Sequence, residues 1–257
     1  MVAITVGHAQ HLADDGEGQW ESQIGDEVEL STIGPDELRE CVIAGENMRA
    51  HISEVIEWKR RNPGDDLLTA LIRAEDDGDV LSDVELLDQV NVLFIAGHET
   101  TVNLIGNGTW ALLQHPEQLA LLRDDPTVET TAIDELLRYD SPVQMSRRIA
   151  LEPIEVGGHH IEAGTFVLTS LGSANRDEAV FGPTAAELDV RRADAARHLS
   201  FGSGTHHCLG ASLARLEGLV AITSLVRRFP GLRAVGEPEW NGRLVLRGMD
   251  SLQLSPR

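Results

Sequence analysis

A mainly helical fold with one small antiparallel β element is what this sequence predicts, from three observations. Between Pro35 and Tyr139, and again after Cys208, apolar residues recur at helical spacing. Helix stops such as Asn62-Pro63-Gly64 and His115-Pro116 separate those runs. Only one stretch, EPIEVGGHHIEAGTFVLTS from Glu152 to Ser170, alternates in the manner of strands.

Composition bounds the class. The chain has 257 residues, 42% hydrophobic and 25% charged, which suits a globular protein able to bury a sizeable core. Its formal net charge of −21 speaks against nucleic acid or an anionic membrane surface as partner. Cys41 and Cys208 are too few for a disulfide framework, and the N-terminus does not resemble a signal peptide. A reducing cytoplasm is the expected location.

Taken in order, residues 1–34 are acidic and weakly periodic, and are expected to be weakly structured. Pro35 to Arg61 reads as a helix, broken by NPGDD, and LLTALIRAEDDG as a shorter one. Ser82 and Glu85 form a capping box that opens the longest helix, running to about Gln114. At about 1.5 Å per residue it should measure roughly 45–50 Å. Its stretch from Val90 to Leu113 is long enough to tempt a membrane assignment. However, Asn91, His98, Glu99, Thr100, Thr101, Asn103 and Asn107 lie inside it, so a helix buried in protein is expected instead.

Pro116 can begin a further helix, and PTVETTAIDELLRYD another that Ser141-Pro142 stops. The β element follows, turning at Gly157-Gly158. An irregular polar tract from Gly172 to His198 leads to the last helix, which opens at Cys208 and carries Leu209, Leu213, Leu216 and Val220 on one face.

Cys208 has three explanations. A free cysteine usually packs as a small hydrophobe. His206, His207 and Cys208 together suggest zinc, but three consecutive residues cannot all turn onto one ion. The third uses the whole stretch FGSGTHHCLGASLARLE. Gly202, Gly204 and Gly210 clear space for a large flat ligand, and a helix N-terminus favours a thiolate. His206 adds a donor for a carboxylate. Those features describe a haem seat.

The pattern F-G-x-G-x-H-x-C-x-G with L-A-R-x-E resembles the haem-binding loop and following helix of the cytochrome P-450 family, in which a Cys thiolate holds the iron. AGHETT from Ala96 to Thr101, the E-x-x-R of Glu135 and Arg138, SRRIALEPIEVGG and ANRDEAVF agree with the same family in the same order. The wording is similar to soluble bacterial members. The resemblance begins near Pro35 and implies the C-terminal portion of that fold: a partial domain over 35–257, with a long central helix over the haem seat. The N-terminal block of helices and sheet that family members carry is expected to be absent.

Several assignments are implied by the resemblance. Cys208 becomes the axial ligand of haem b, with Phe201, Gly202, His206 and Gly210 around it and Arg148 on a propionate. Ala96 and Gly97 leave room for dioxygen, while Glu99 and Thr100 relay protons. A bland alternative for that pair is an ordinary hydrogen bond from Thr100 to the Ala96 carbonyl, with Glu99 salt-bridged. Glu135 and Arg138 form a buried structural pair. Where the family shows a basic residue and an aromatic, this chain has Glu187 and Leu188, leaving Arg191 or Arg192 as the third arm. Arg147, His159 and His160 are expected in solvent, and Cys41 packed.

The implied activity is insertion of one oxygen atom from O2 into a small apolar organic substrate. Electrons would come from a separate ferredoxin or flavoprotein, since no nucleotide-binding glycine motif is present. No membrane or nucleic-acid partner is expected. The alternative is a non-catalytic remnant that holds haem weakly or not at all.

Overall fold

A computed structural model describes residues 2–4, 34–76 and 81–256. The reading of residues 1–34 as weakly structured falls mostly on positions outside the described residues. The chain divides into two compact units, His8–Glu99 and Met1–Gly7 with Thr100–Arg257.

In the first unit, α1 (Pro35–Arg61) and α2 (Leu67–Asp76) precede the opening turns of α3 (Asp83–Gln114). Cys41, Ala44, Met48, Ile52 and Ile56 recur every three or four residues along α1, and all five are buried. Ala44, Met48, Ile52 and Ile56 pack with Ile72 and Leu86 into one core. Asp66 accepts the Thr69 amide at 2.9 Å and pairs with Lys59 at 2.6 Å, so the α1–α2 turn is fixed from both sides. The capping box is formed: the Ser82 amide donates to Glu85 Oε2 at 2.8 Å, and the Glu85 amide to Ser82 Oγ at 3.3 Å.

The second unit takes the rest of α3, then α4 (Pro116–Asp124) with proline at its first turn, a 3-10 turn at Pro126–Val128 and α5 (Glu129–Tyr139). After two one-turn helices, α6 (Leu171–Ala174) and α7 (Glu178–Phe181), the long α8 (Ala211–Arg228) completes the helical layer. Leu104, Leu112, Leu122, Ile133, Leu136 and Ile222 form its centre. Two glycines let these helices close on one another. A Cβ at Gly218 would lie 2.8 Å from Leu104 Cδ2, and one at Gly108 would lie 3.1 Å from both Ile222 Cδ1 and Leu136 Cδ1.

The β structure is more extensive than one hairpin. β2 (Met145–Ile149) pairs antiparallel with β5 (Phe166–Ser170), and β3 (Ile154–Val156) with β4 (His159–Ile161). Gly157 and Gly158 join the latter pair, both with positive φ (57° and 81°), as a two-residue turn with the twist of a hairpin demands. At the C-terminus, β8 (Met249–Ser255) pairs antiparallel with β1 (Val2–Ile4), β6 (Arg233–Ala234) and β7 (Glu239–Trp240). β1, β6 and β7 have only two or three residues each, too few for a visible alternation, so periodicity alone does not find them. Among the described residues, no helix is long and apolar enough to cross a membrane.

One expectation about burial is corrected. The apolar stretch of α3 is not buried throughout: Val92, Phe94, Ala96, Gly97 and His98 are exposed, and continuous burial begins near Asn103. The sequence left open which way the leucine face of the last helix turns: on α8 the buried residues are Ala211, Gly218, Ile222, Thr223 and Val226, while Leu213, Leu216 and Val220, with Leu209 just before the helix, are exposed. At Gly218 the missing side chain permits the close approach of Leu104.

Candidate functional site

The Cys208 turn is shaped by glycine and by main-chain hydrogen bonds. Gly202 and Gly204 hold φ of 69° and 72°, conformations that a side chain would strain. The Gly202 amide donates to Leu199 O at 2.8 Å, the His207 amide to Gly204 O at 3.1 Å and the Cys208 amide to Phe201 O at 2.9 Å. Gly210 caps α8, and the Ala211 amide donates to Cys208 O at 3.3 Å. The result is a tight loop that leaves the Cys208 thiol exposed, whereas Cys41 is 3% exposed.

That exposure removes the packed-hydrophobe explanation for Cys208. Zinc is no better supported: among the described residues, no three His, Cys, Asp or Glu side chains gather as a metal site. His206 and His207 are both exposed. Leu209, which follows Cys208 directly, is 90% exposed, and Leu213, Leu216 and Val220 on α8 are each above half.

Behind the loop lies a buried ion pair. Glu135 and Arg138, both 0% exposed, meet through Arg138 Nε to Glu135 Oε2 at 2.6 Å and Arg138 Nη2 to Oε1 at 2.9 Å. Arg138 also donates to the carbonyls of Asn175 (2.7 Å), Ala185 (2.6 Å) and Glu187 (2.9 Å). Of the two arginines proposed for the third arm, Arg192 reaches Glu135 at 3.2 Å, while Arg191 pairs with Asp125 at 3.5 Å on the surface. Glu187 and Leu188 cause no gap, because Glu187 offers its carbonyl and Leu188 joins the core.

From this pair a hydrogen-bonded path leads towards the cysteine turn. Asn175 Nδ2 donates to Ser200 Oγ (2.8 Å), its Oδ1 accepts the Leu199 amide (2.6 Å), and Ser200 Oγ donates to Leu137 O (2.7 Å). The segment just before Phe201 is therefore pinned to α5. Asp134 forms a second tie, accepting from Arg215 Nε at 2.7 Å and His198 Nε2 at 3.3 Å. Sequence reasoning gave no role to Asn175, Asp134, His198 and Arg215. Asn175 and Arg215 stand inside the motifs ANRDEAVF and L-A-R-x-E, while Asp134 and His198 lie close to recognised motifs.

The other predicted residues are placed as follows. Arg148 is exposed on β2, opposite Val167, and donates to Ser146 Oγ (2.6 Å) and the Arg147 carbonyl (2.7 Å). Arg147 is half-buried and opposite Leu168. Ala96 and Gly97 are exposed mid-helix, with open space where a Gly97 Cβ would stand, and Glu99 and Thr100 are half-buried one turn on. His160 lies in strand β4 with Nδ1 2.5 Å from Glu155.

A family model for cytochrome P-450 matches residues 36–238. This chain belongs to the cytochrome P-450 family. It is 44% identical over 227 residues to the P-450 monooxygenase PikC of Streptomyces venezuelae, covering 86% of this chain and 54% of that relative. It is 43% identical over 239 residues to 6-deoxyerythronolide B hydroxylase of Saccharopolyspora erythraea, covering 91% and 57%. The crystal structure of P-450 BioI with an acyl-carrier-protein-bound hexadecenoic acid overlays at a TM-score of 0.87, with 37% identity, 98% of this chain and 64% of that one. The chain thus spans between half and two-thirds of the length of these relatives.

P-450 membership implies haem, and the residues present fit it. An exposed thiol on a glycine-relieved turn can take an iron ligand's place, and the helix that follows it carries exposed leucines that suit an apolar ligand.

Proposed function

We propose that this chain carries the haem-thiolate part of a P-450 monooxygenase, with Cys208 as axial ligand of haem b. The observation that supports it most is the exposed Cys208 thiol on a turn whose glycines and main-chain bonds keep side chains away from it. A thiolate there benefits from the N-terminal end of α8.

Haem, when bound, supplies two-electron activation of dioxygen, placing one oxygen atom in the substrate and releasing the other as water. The remaining roles fall to side chains. Phe201, Gly202 and Gly210 shape the ligand turn. Arg148 suits a propionate carboxylate because a guanidinium binds it through two parallel donors, and His206 adds a further donor. Ala96 and Gly97 keep α3 free of bulk where dioxygen would need room. Glu99 and Thr100 hold and pass protons, an acid and a hydroxyl on consecutive residues being able to do so through water.

The substrate is a small apolar organic molecule, and a ferredoxin or flavoprotein in the cytoplasm donates the electrons. The relatives' names range from a deoxyerythronolide hydroxylase to a protein crystallised with a carrier-bound fatty acid, so membership alone fixes no single substrate. A carbon monoxide difference spectrum of the reduced, haem-supplemented chain tests the reading. A thiolate-type band is expected, and its absence despite bound haem overturns the assignment.

A further inference from the structure

Asp134 is a carboxylate that the assigned chemistry does not use, yet it is buried and shared between two donors. It sits on α5, immediately before the Glu135–Arg138 pair. Its Oδ1 accepts from Arg215 Nε at 2.7 Å on α8 and from His198 Nε2 at 3.3 Å. His198 Nδ1 accepts the Ser200 amide at 3.1 Å, so the ring proton is on Nε2 and points at Asp134. One carboxylate oxygen therefore joins α5, the segment before the cysteine turn and the helix after it.

Both donors converge on the same aromatic ring. The Arg215 guanidinium lies 4.6 Å from the centre of Phe201, and the His198 ring 5.5 Å from it at 53°. Phe201 in turn supplies the carbonyl that receives the Cys208 amide at 2.9 Å. Arg215 is a third exposed and so not held by burial. Asp134 fixes its orientation, and the flat guanidinium face then rests on Phe201.

We propose that Asp134 and Arg215 are positioning residues that hold Phe201, and through its carbonyl the Cys208 turn, in the shape that presents the thiol. The consequence for haem ligation rests on the reading of Cys208 given above; the positioning itself does not.

The test uses the full chain in two states. Without added haem, hydrogen exchange at the Cys208 amide and iodoacetamide alkylation of Cys208 are followed in Asp134→Asn, Arg215→Gln and Arg215→Lys. Lysine keeps a charge for Asp134 but has no planar face for Phe201. About fivefold faster exchange at Cys208 is expected in all three, with the alkylation rate changed and the α8 amides from Gly218 to Val226 unaltered. With haem supplied, the thiolate-type fraction of the Soret band should fall in the same variants, Arg215→Lys included.

Unchanged Cys208 exchange in both Arg215 variants, or a rise shared equally by all of α8, overturns the proposal. Should Asp134→Asn fail to fold, Arg215→Lys decides the matter alone. A missing thiolate band in the unaltered chain, with the exchange effect intact, would sink the haem reading and leave the positioning role standing.

Discussion

Arg138 grips Glu135 from one helical turn away with two bonds of 2.6 and 2.9 Å, and neither side chain touches solvent. Most pairs at that spacing are exposed and worth a few tenths of a kcal/mol. This one is a junction, because the same guanidinium satisfies three carbonyls of the irregular tract. Arg138→Leu should destabilise the chain by about 3–5 kcal/mol, as it removes the two shorter arginine bonds to a buried carboxylate and leaves it only Arg192 and the Asp189 amide. A buried pair can often be replaced by hydrophobes at little cost, but here Arg138→Leu with Glu135→Leu should remain destabilised. The carbonyls of Asn175 and Ala185 would lose their guanidinium donor, and Glu187 O would keep only Arg192 at 3.3 Å. Urea titrations of the single and double variants measure both effects.

Gly218 is required by packing and not by backbone conformation, since it lies inside α8. Its missing Cβ is the space that Leu104 occupies. Gly218→Val should cost about 1–3 kcal/mol through overpacking. Leu104→Ala should relieve part of that cost, so the double variant should be more stable than the sum of the single changes predicts. Thermal or denaturant melts of the cycle reveal the coupling.

The same position shows why some of the molecule could be read from sequence and some could not. The bounds of α1 and α3 and the capping box at Ser82 were legible, because they depend on residues close together in the chain. So was the turn at Gly157-Gly158. The inner face of α8 was not. Leucine spacing marked Leu209, Leu213, Leu216 and Val220 as one face, but that Ala211, Gly218, Ile222, Thr223 and Val226 turn inward depended on distant partners, such as Leu104 against Gly218. Likewise E-x-x-R showed Glu135 and Arg138 and left Arg191 or Arg192 as the third arm, while the choice of Arg192, 57 residues from Glu135, depended on the fold of the tract between. Asp134 stayed invisible for the same reason: its donors are 64 and 81 residues away.

The two thiols should report the site directly. Cys208 is exposed and Cys41 buried, so a small alkylating reagent should modify Cys208 first and Cys41 only on unfolding. Bound haem should block the first reaction. Cys208→Ser should abolish the thiolate-type Soret band, whereas Cys41→Ser should leave it in place. Peptide mass analysis and absorption spectra check these outcomes.

Acid should loosen the cysteine turn through Asp134. Burial alone would push this carboxyl up, but the hydrogen bonds from His198 and Arg215, with the arginine's charge, hold it below its ordinary 3.8. A carboxyl lowered on folding contributes stability that is complete above 3.8 and lost as pH falls through its lowered value. Asp140 has the opposite sign. Its burial raises it, and Arg247 and Arg176 offset this only in part. Its contribution is present below 3.8 and fades as pH rises through the raised value. Relative to the unaltered chain, Asp134→Asn should therefore lose less stability in acid, and Asp140→Asn should gain as pH rises above 3.8. Denaturant midpoints across this range separate the two.

The outer face of α8 should be adhesive. Leu213, Leu216 and Val220 on α8, and Leu209 just before it, are all more than half exposed. Burying a leucine is worth about 1.5–3 kcal/mol, so several on one surface favour contact with any apolar partner, a second copy included. Without haem, the chain should associate as its concentration rises and bind an apolar fluorescent dye. Leu213→Gln with Leu216→Gln should weaken both behaviours. Because neither side chain belongs to the core, melting should move little, within about 0.5 kcal/mol for each change. Haem supplied to the unaltered chain should also reduce dye binding if this face lies against the macrocycle. Sedimentation and dye titration, with and without haem, measure the effect. A monomeric chain that binds no dye at any concentration would mean that these leucines are covered in solution.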